Sequence, residues 1–238
     1  MPFSPTLLHS NRLLDRLPAE ERERFLADCE TVELVSGQML SEPGEKITHV
    51  HFPIDCLISL FATLENGARL EVSMAGNEGM AGISLILGAE RSSLQMLVQG
   101  SGPALRMSAA CFRDHLERSP ALEQLMTRYL NVLISQISQS GACAHFHEVT
   151  PRLARRLLMT HDRTSGDQLH LTQDFLSSML GVRRPGVSIA AKTLQRRGLI
   201  TYERGCITVH DRPGLEEAAC DCYASGREIY EQVFEPVA

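Results

Sequence analysis

The sequence predicts an α+β chain in three consecutive parts: a β-rich sandwich or barrel, one long helix, and a small helical unit closed by a strand pair. Three observations carry this. Between Thr31 and Met107 the apolar residues come in short runs separated by glycine, proline and asparagine. From Ser108 the apolar period turns helical. Beyond Pro151 two helical patterns flank a lone glycine, and two alternating runs follow them.

Residues 11–28 read as helix, with Leu13, Leu14, Leu17, Phe25 and Leu26 at helical spacing and Pro18 where a second helix can begin. Strands are expected over Val32–Val35, Val50–Phe52, Leu57–Phe61, Leu70–Met74, Leu94–Val98 and Ala104–Met107. Asn66-Gly67 separates two of these and signals a tight hairpin, because both residue types tolerate the positive φ of such a turn. A short helix from Ser108 to about Leu116 comes next, and Ser119-Pro120 opens a long one. On the long helix Met126, Leu130, Leu133, Ile137, Ser140, Ala144 and His147 recur at alternating spacings of four and three. That heptad seam either packs on its own domain or pairs with its copy; the expectation taken forward is a homodimer helix using Met126, Leu130, Leu133 and Ile137. After Pro151 come a helix (Arg152–His161), a polar loop with Ser165-Gly166, then helix, turn, helix and a strand pair. The expected parts are residues 1–118, 119–149 and 150–238.

With 238 residues, 43% hydrophobic and 22% charged, the chain has material for two ordinary globular domains. No run approaches the ~18 consecutive apolar residues of a membrane helix. The N-terminal MPFSPTLLHSNRLLDRL interrupts its leucines with polar and charged residues, unlike a secretory signal. A cytoplasmic protein without a membrane partner is expected. Seven scattered cysteines, an odd number, argue against a disulfide framework. The net charge of −6 hides a segregation: Pro151 to Arg204 holds ten Lys and Arg against four acids, which leaves −12 for the remainder. A basic module on an acidic body points to phosphate as its partner. No Ser-His-Asp, phosphate-loop or paired-carboxylate constellation stands out, so the chain is not expected to be an enzyme.

The most informative stretch is LTQDFLSSMLGVRRPGVSIAAKTLQRRGLI, Leu171 to Ile200. Thr172 is an N-cap for a first helix whose inner face is Phe175, Leu176, Met179 and Leu180. Gly181 stands where that helix must stop, and Val182 plugs the gap between the two helices. The second helix runs from Arg183 or Arg184 to about Arg197, with Val187, Ala190, Ala191 and Leu194 inward. Pro185 is tolerated there because the first helical turn has no use for its missing N–H. This is a helix-turn-helix, and the runs around Glu203–Gly205 supply a wing. The expected DNA-contacting residues are Thr172, Arg183, Arg184, Gly186, Val187, Ser188, Lys192, Tyr202 and Arg204: arginine suits guanine edges, and the others suit backbone or base contacts.

With these elements in place the chain resembles the Crp/Fnr regulators over nearly its whole length. The family's N-terminal β-roll (a jelly-roll of the cyclic-nucleotide-binding type) is matched by SGQMLSEPGEKITHVHFP, with Gly37, Leu40, Gly44, Glu45 and Phe52, and by GNEGMAG after Met74. VTPRLARRLLM resembles the family's hinge and first DNA-domain helix, and the reading segment aligns without a gap. The resemblance implies a sensor domain over 1–118, a dimerisation helix over 119–149 and a winged helix-turn-helix over 150–238. It also implies an effector pocket at Glu78, Gly79, Met80, Gly82, Arg91 and Ser92, completed by Ser138 of the long helix. Relatives that bind cyclic AMP offer a Glu to the ribose, where this chain has Met80 or Ala81, and a Thr-Ser pair to adenine, where it has Ile137-Ser138. Cyclic AMP is therefore not the expected signal, and the effector is left unidentified. In the second helix the family's Arg-Glu-Thr-Val-x-Arg becomes Arg184-Pro185-Gly186-Val187-Ser188-Ile189, so the DNA site differs from the family's usual one.

No cofactor is assignable. The iron–sulfur relatives use closely spaced N-terminal cysteines and only Cys29 lies in that region, while no axial haem ligand stands out and His51 reads as a packed or surface imidazole. No metal ligands are assigned. Cys143 and His147, at i and i+4, share a helix face and could hold zinc with two more ligands such as Cys220 and Cys222; plain packing of the helix end against the C-terminal helix is the alternative. The expected partners are duplex DNA with a two-fold-symmetric site, a second copy of the chain, and RNA polymerase. The competing function is a cyclic-nucleotide-binding signalling module with no role on DNA, which the basic helix-turn-helix disfavours.

Overall fold

The computed structural model describes residues 11–164 and 166–234. Most of the N-terminal stretch weighed above as a secretory signal, and Ser165 of the polar loop, lie outside them. Two compact units are present: Met1–Leu60 with Met74–Asn131, and Phe61–Ser73 with Val132–Ala238.

In the first unit, a 3-10 turn at Leu14–Arg16 and helix α1 (Ala19–Ala27) occupy the region read as helical, on either side of Pro18. Pro18 separates them because it fixes φ and lacks a donor, and it becomes the residue before α1. The strands β1 (Glu30–Leu34), β2 (Met39–Ser41), β3 (His49–Pro53), β4 (Leu57–Thr63), β5 (Arg69–Ala75), β6 (Gln95–Gly100) and β7 (Gly102–Ser108) follow. They form two sheets, β1-β7-β3 and β2-β6-β4-β5. Leu34 and Ala104 from one sheet meet Ile58, Met96 and Val98 from the other in a shared core, so this is a β sandwich of the roll type. A second apolar cluster has Phe25 edge-on to Phe52, with ring centroids 5.4 Å apart, and Phe112 beside both. Buried Asn11 is fully used: its amide donates to the carbonyls of Pro53 and Gly79 at 2.9 and 3.0 Å, and its carbonyl accepts from Leu14 N–H. Strand β2 was not foreseen, because three residues broken by a register shift leave no alternation to read.

Helix α2 (Ala109–Arg118) is capped by the Ser108 hydroxyl, which accepts from Cys111 N–H at 3.2 Å. Helix α3 (Pro120–Phe146) is one uninterrupted run of 27 residues. Met126 and Leu133 of the expected seam are fully buried within the chain itself, and Leu130 and Ile137 are only partly covered. The outward stripe is instead Thr127, Asn131, Ile134, Ser138, Gly141 and His145, which also alternates by four and three; Ile134 on it is 63% exposed.

The second unit holds α4 (Val149–His161), β8 (Gln168–His170), α5 (Gln173–Leu180), α6 (Arg184–Arg196), β9 (Ile200–Glu203), β10 (Cys206–Val209), α7 (Arg212–Ala218) and α8 (Cys222–Phe234). The strands pair in the order β8-β10-β9. Strand β8 escaped sequence reading, since only Leu169 of its three residues turns inward. The core joins Leu153, Leu157 and Leu158 of α4 to Leu176 and Met179 of α5 and to Val187, Ala190 and Leu194 of α6. The tip of the β4–β5 hairpin belongs to this unit: Phe61 stands edge-on to Phe175 at 5.9 Å, and Arg69 lies over the Phe61 ring. The tip is the turn expected at Asn66-Gly67, with Leu64 and Ala68 paired and Gly67 at φ +79.

Candidate nucleic-acid interface

Thr172 caps α5 by accepting from Phe175 N–H at 3.1 Å. Gly181 then takes φ +61, the left-handed conformation that ends the helix cheaply only for glycine. The turn is tied by Ser177, whose hydroxyl donates to Val182 C=O and whose carbonyl accepts from Val182 N–H at 3.1 Å. Helix α6 opens at Arg184 with Pro185 in its first turn, and its inner face of Val187, Ala190, Ala191 and Leu194 is buried against α4 and α5. With that face fixed, the remaining residues of α6 point outward by helical periodicity.

Arg183, Arg184 and Lys192 are exposed, and Gly186 and Ser188 are half-buried on the same outer side. Val187 is fully buried, so it anchors the helix and does not face a partner. Ile189, which stands where the resembled family has its second Arg, is 66% exposed. Arg184 meets Asp174 at the start of α5 in an exposed ion pair. At the wing, Arg204 (φ +49) and Gly205 (φ +81) make the tight turn between β9 and β10, and the Arg204 side chain is exposed. Tyr202 does structural work: its hydroxyl donates to Leu171 C=O at 2.9 Å and binds the wing to the start of α5. Burial and the nearby Asp174 raise its pKa. Thr172, Gln173, Tyr202, Arg204 and Gly205 line a shallow cleft beside the wing.

The basic excess read from the sequence is partly internal. Arg152, Arg155 and Arg156, all on α4, are buried. Arg152 donates to Leu180 C=O, and Arg156 pairs with Glu71 of the β4–β5 hairpin. The positive charge available to a phosphate backbone is therefore Arg183, Arg184, Lys192, Arg196, Arg197 and Arg204, all exposed and all on α6, at its ends or on the wing.

Residues 151–218 match the family model of the Crp-like helix-turn-helix domain. The chain carries the Crp/Fnr regulator fold with a Crp-like DNA-binding domain. FixK2 from Bradyrhizobium japonicum superposes with a TM-score of 0.68 at 12% identity, over 81% of this chain and 98% of that one. A CRP/FNR-family transcriptional regulator from Thermus thermophilus gives 0.63 at 20% identity, over 80% and 98%. The c-di-GMP-responsive regulator CLP of Xanthomonas campestris gives 0.63 at 17% identity, over 81% and 99%. At these identities the structures speak for the fold. No curated protein matches the chain.

In the Crp/Fnr fold the effector region expected here lies after β5, and its groups are turned toward protein. A Cβ on Gly79 would fall 2.2 Å from the Tyr129 hydroxyl, which accepts from Met80 N–H at 3.1 Å. Met80 is fully buried and Glu78 is buried beside it in sequence, while Gly82 takes φ +100 against Val50. The Arg91 guanidinium donates to Gly44 C=O at 2.7 Å, and the Ser92 hydroxyl donates to Leu94 C=O at 2.6 Å. Ser138, in the other unit, donates to Ile134 C=O one turn back along α3. His51 is a packed imidazole: burial lowers its pKa to about 4, so it is neutral. No described helix is long and apolar enough to cross a membrane.

Proposed function

We propose that the chain is a homodimeric, cytoplasmic regulator of transcription that reads a two-fold-symmetric duplex site through α6 and acts on RNA polymerase. The observation that carries this is the outer face of α6, where Arg183, Arg184, Ser188, Ile189 and Lys192 stand free of the core on a helix whose inner face is fully buried. Arg184 would exchange Asp174 for a guanine edge at little cost, since an exposed ion pair is weak. Ile189 would meet a thymine methyl, and Lys192, Arg196, Arg197 and Arg204 would meet phosphates. Two such helices about 34 Å apart fit successive major grooves on one side of the duplex.

The dimer uses the outward stripe of α3, whose small residues allow two helices to approach closely around Ile134. The signal is unidentified and cyclic AMP is disfavoured, with Met80 or Ala81 where a ribose acceptor would stand and with Arg91 and Ser92 engaged with backbone carbonyls. The β4–β5 hairpin would carry the signal, because its strands lie in the sensor sheet and its tip rests on α5.

The test is selection from a random duplex pool across a salt series, for the wild type and for Arg184→Ala. The expected result is a two-fold-symmetric motif for the wild type, with binding that falls steeply in salt. In the variant, specificity relaxes at one position per half-site at a cost of about 1–3 kcal/mol. A wild-type protein that retains no motif at low salt refutes the reading.

A further inference from the structure

The strongest constellation outside the DNA-reading face is built from Cys143, His147, Cys220 and Cys222, all in the second unit. Cys143 and His147 are one turn apart at the end of α3, joined by a hydrogen bond from His147 N–H to Cys143 C=O. Cys220 and Cys222 straddle the bend between α7 and α8. That bend is held from below: Tyr223 N–H donates to Cys220 C=O at 3.0 Å, and the Tyr223 hydroxyl donates to Asp162 at 2.9 Å. The four candidate ligand atoms all lie within 4.8 Å of one another.

Two of the six ligand–ligand distances match tetrahedral edges. Zinc–sulfur bonds of about 2.3 Å and zinc–nitrogen bonds of about 2.0–2.1 Å give tetrahedral edges of roughly 3.8 Å between sulfurs and roughly 3.6 Å between sulfur and nitrogen. Here Cys143 Sγ to Cys220 Sγ is 3.6 Å, and Cys222 Sγ to His147 Nδ1 is 3.5 Å. The surroundings fit too. Asp221 Oδ1 lies 3.4 Å from His147 Nε2, the carboxylate–imidazole arrangement that leaves Nδ1 free to coordinate. Gln139 donates to Cys222 Sγ at 2.9 Å, and the positive charge of Arg155 acts on all three sulfurs. Arg155 is buried, and its Nε has no hydrogen-bond partner among the described residues. A buried guanidinium with an unsatisfied Nε is costly unless an anionic group balances it, and three thiolates with one divalent zinc carry a net −1.

We infer that Cys143, His147, Cys220 and Cys222 form a closed, tetrahedral zinc site that fastens the end of α3 to the α7–α8 bend of the DNA-binding domain. With four protein ligands no position remains for water, so the site is structural and does not catalyse. Three thiols lose their protons to solvent as the ion binds, and no electron changes hands.

The experiment uses the full chain, untagged and purified without chelator, loaded with Zn²⁺ or Co²⁺. The expected stoichiometry is one ion per chain, and Co²⁺ should show thiolate-to-metal charge transfer with the intense d–d bands of a tetrahedral site. Cys143→Ser and Cys220→Ser should lose stoichiometric binding, Cys111→Ser should keep it, and Asp221→Asn should weaken affinity about 10-fold. His147→Cys should keep one ion and shift the cobalt bands to those of an all-sulfur site, which guards against loss by misfolding alone. Metal-free protein with freely titrating thiols overturns the inference. So does a Cys143–Cys220 disulfide in protein kept under reductant-free conditions, or octahedral cobalt spectra.

Discussion

Glu71 and Arg156 form an ion pair whose side chains are 0% and 4% exposed. Burial lowers the Arg156 pKa and Glu71 opposes that shift, so each charge depends on the other. Glu71→Ala should destabilise by about 3–5 kcal/mol in denaturant unfolding, because a buried guanidinium is left uncompensated. The double replacement Glu71→Leu with Arg156→Met should recover most of this; equal losses in single and double variants would contradict the pairing. His51 makes a second single-residue case. Burial, helped by His49 and Arg106 and opposed by Glu30, lowers its pKa from 6.5 to about 4. The unfolded chain takes up this proton near pH 6.5 and the folded chain resists until about 4. Its stabilising contribution is therefore complete above 6.5 and lost as pH falls through that window, by up to about 1.4 kcal/mol per pH unit. His51→Gln should flatten the melting temperature against pH between those limits. An unchanged slope would assign the acid sensitivity to other groups.

Among the elements, the α5–α6 turn is the most constrained. Gly181 needs φ +61, and a Cβ there would come within 3.1 Å of Leu70 Cδ1 on the β4–β5 hairpin. Gly181→Ala should cost about 1 kcal/mol or more from backbone strain, with the steric share removable by Leu70→Ala. Full recovery in that double variant would mean the backbone carries no strain. The elements that bear on DNA were also the most legible ones in the sequence. Thr172, Gly181, Pro185 and the inward Val187–Leu194 pattern are local signals, read from capping, helix termination and period alone. Strands β2 and β8 were not legible, since each is three residues long and owes its pairing to neighbours distant in sequence.

For the whole molecule, the outward stripe of α3 makes assembly testable. Ile134→Glu should yield a monomer in sedimentation and abolish binding to a two-fold site, while changing stability by no more than about 1 kcal/mol, because this side chain is already exposed. A dimer that persists in Ile134→Glu would move the interface elsewhere. The same helix shows why the expected seam and the outward stripe look alike in the sequence. Two interleaved stripes on α3 share the four–three spacing, and only packing decides which one the chain's own domains cover.

What the sequence by itself determined is the order of parts, the helix-turn-helix and its wing, because these rest on local rules: caps, turn residues, and the apolar period within a dozen positions. Tertiary structure decided which charges are surface. Arg152, Arg155 and Arg156 count toward a basic patch in one dimension, yet all three are buried by elements far along the chain. It also decided that Cys143 and His147 converge with Cys220 and Cys222, which lie 77 and 75 residues further along. The sequence could offer Cys220 and Cys222 only as candidate partners for Cys143 and His147, because burial and convergence are properties of contacts between segments, which spacing along a chain does not decide.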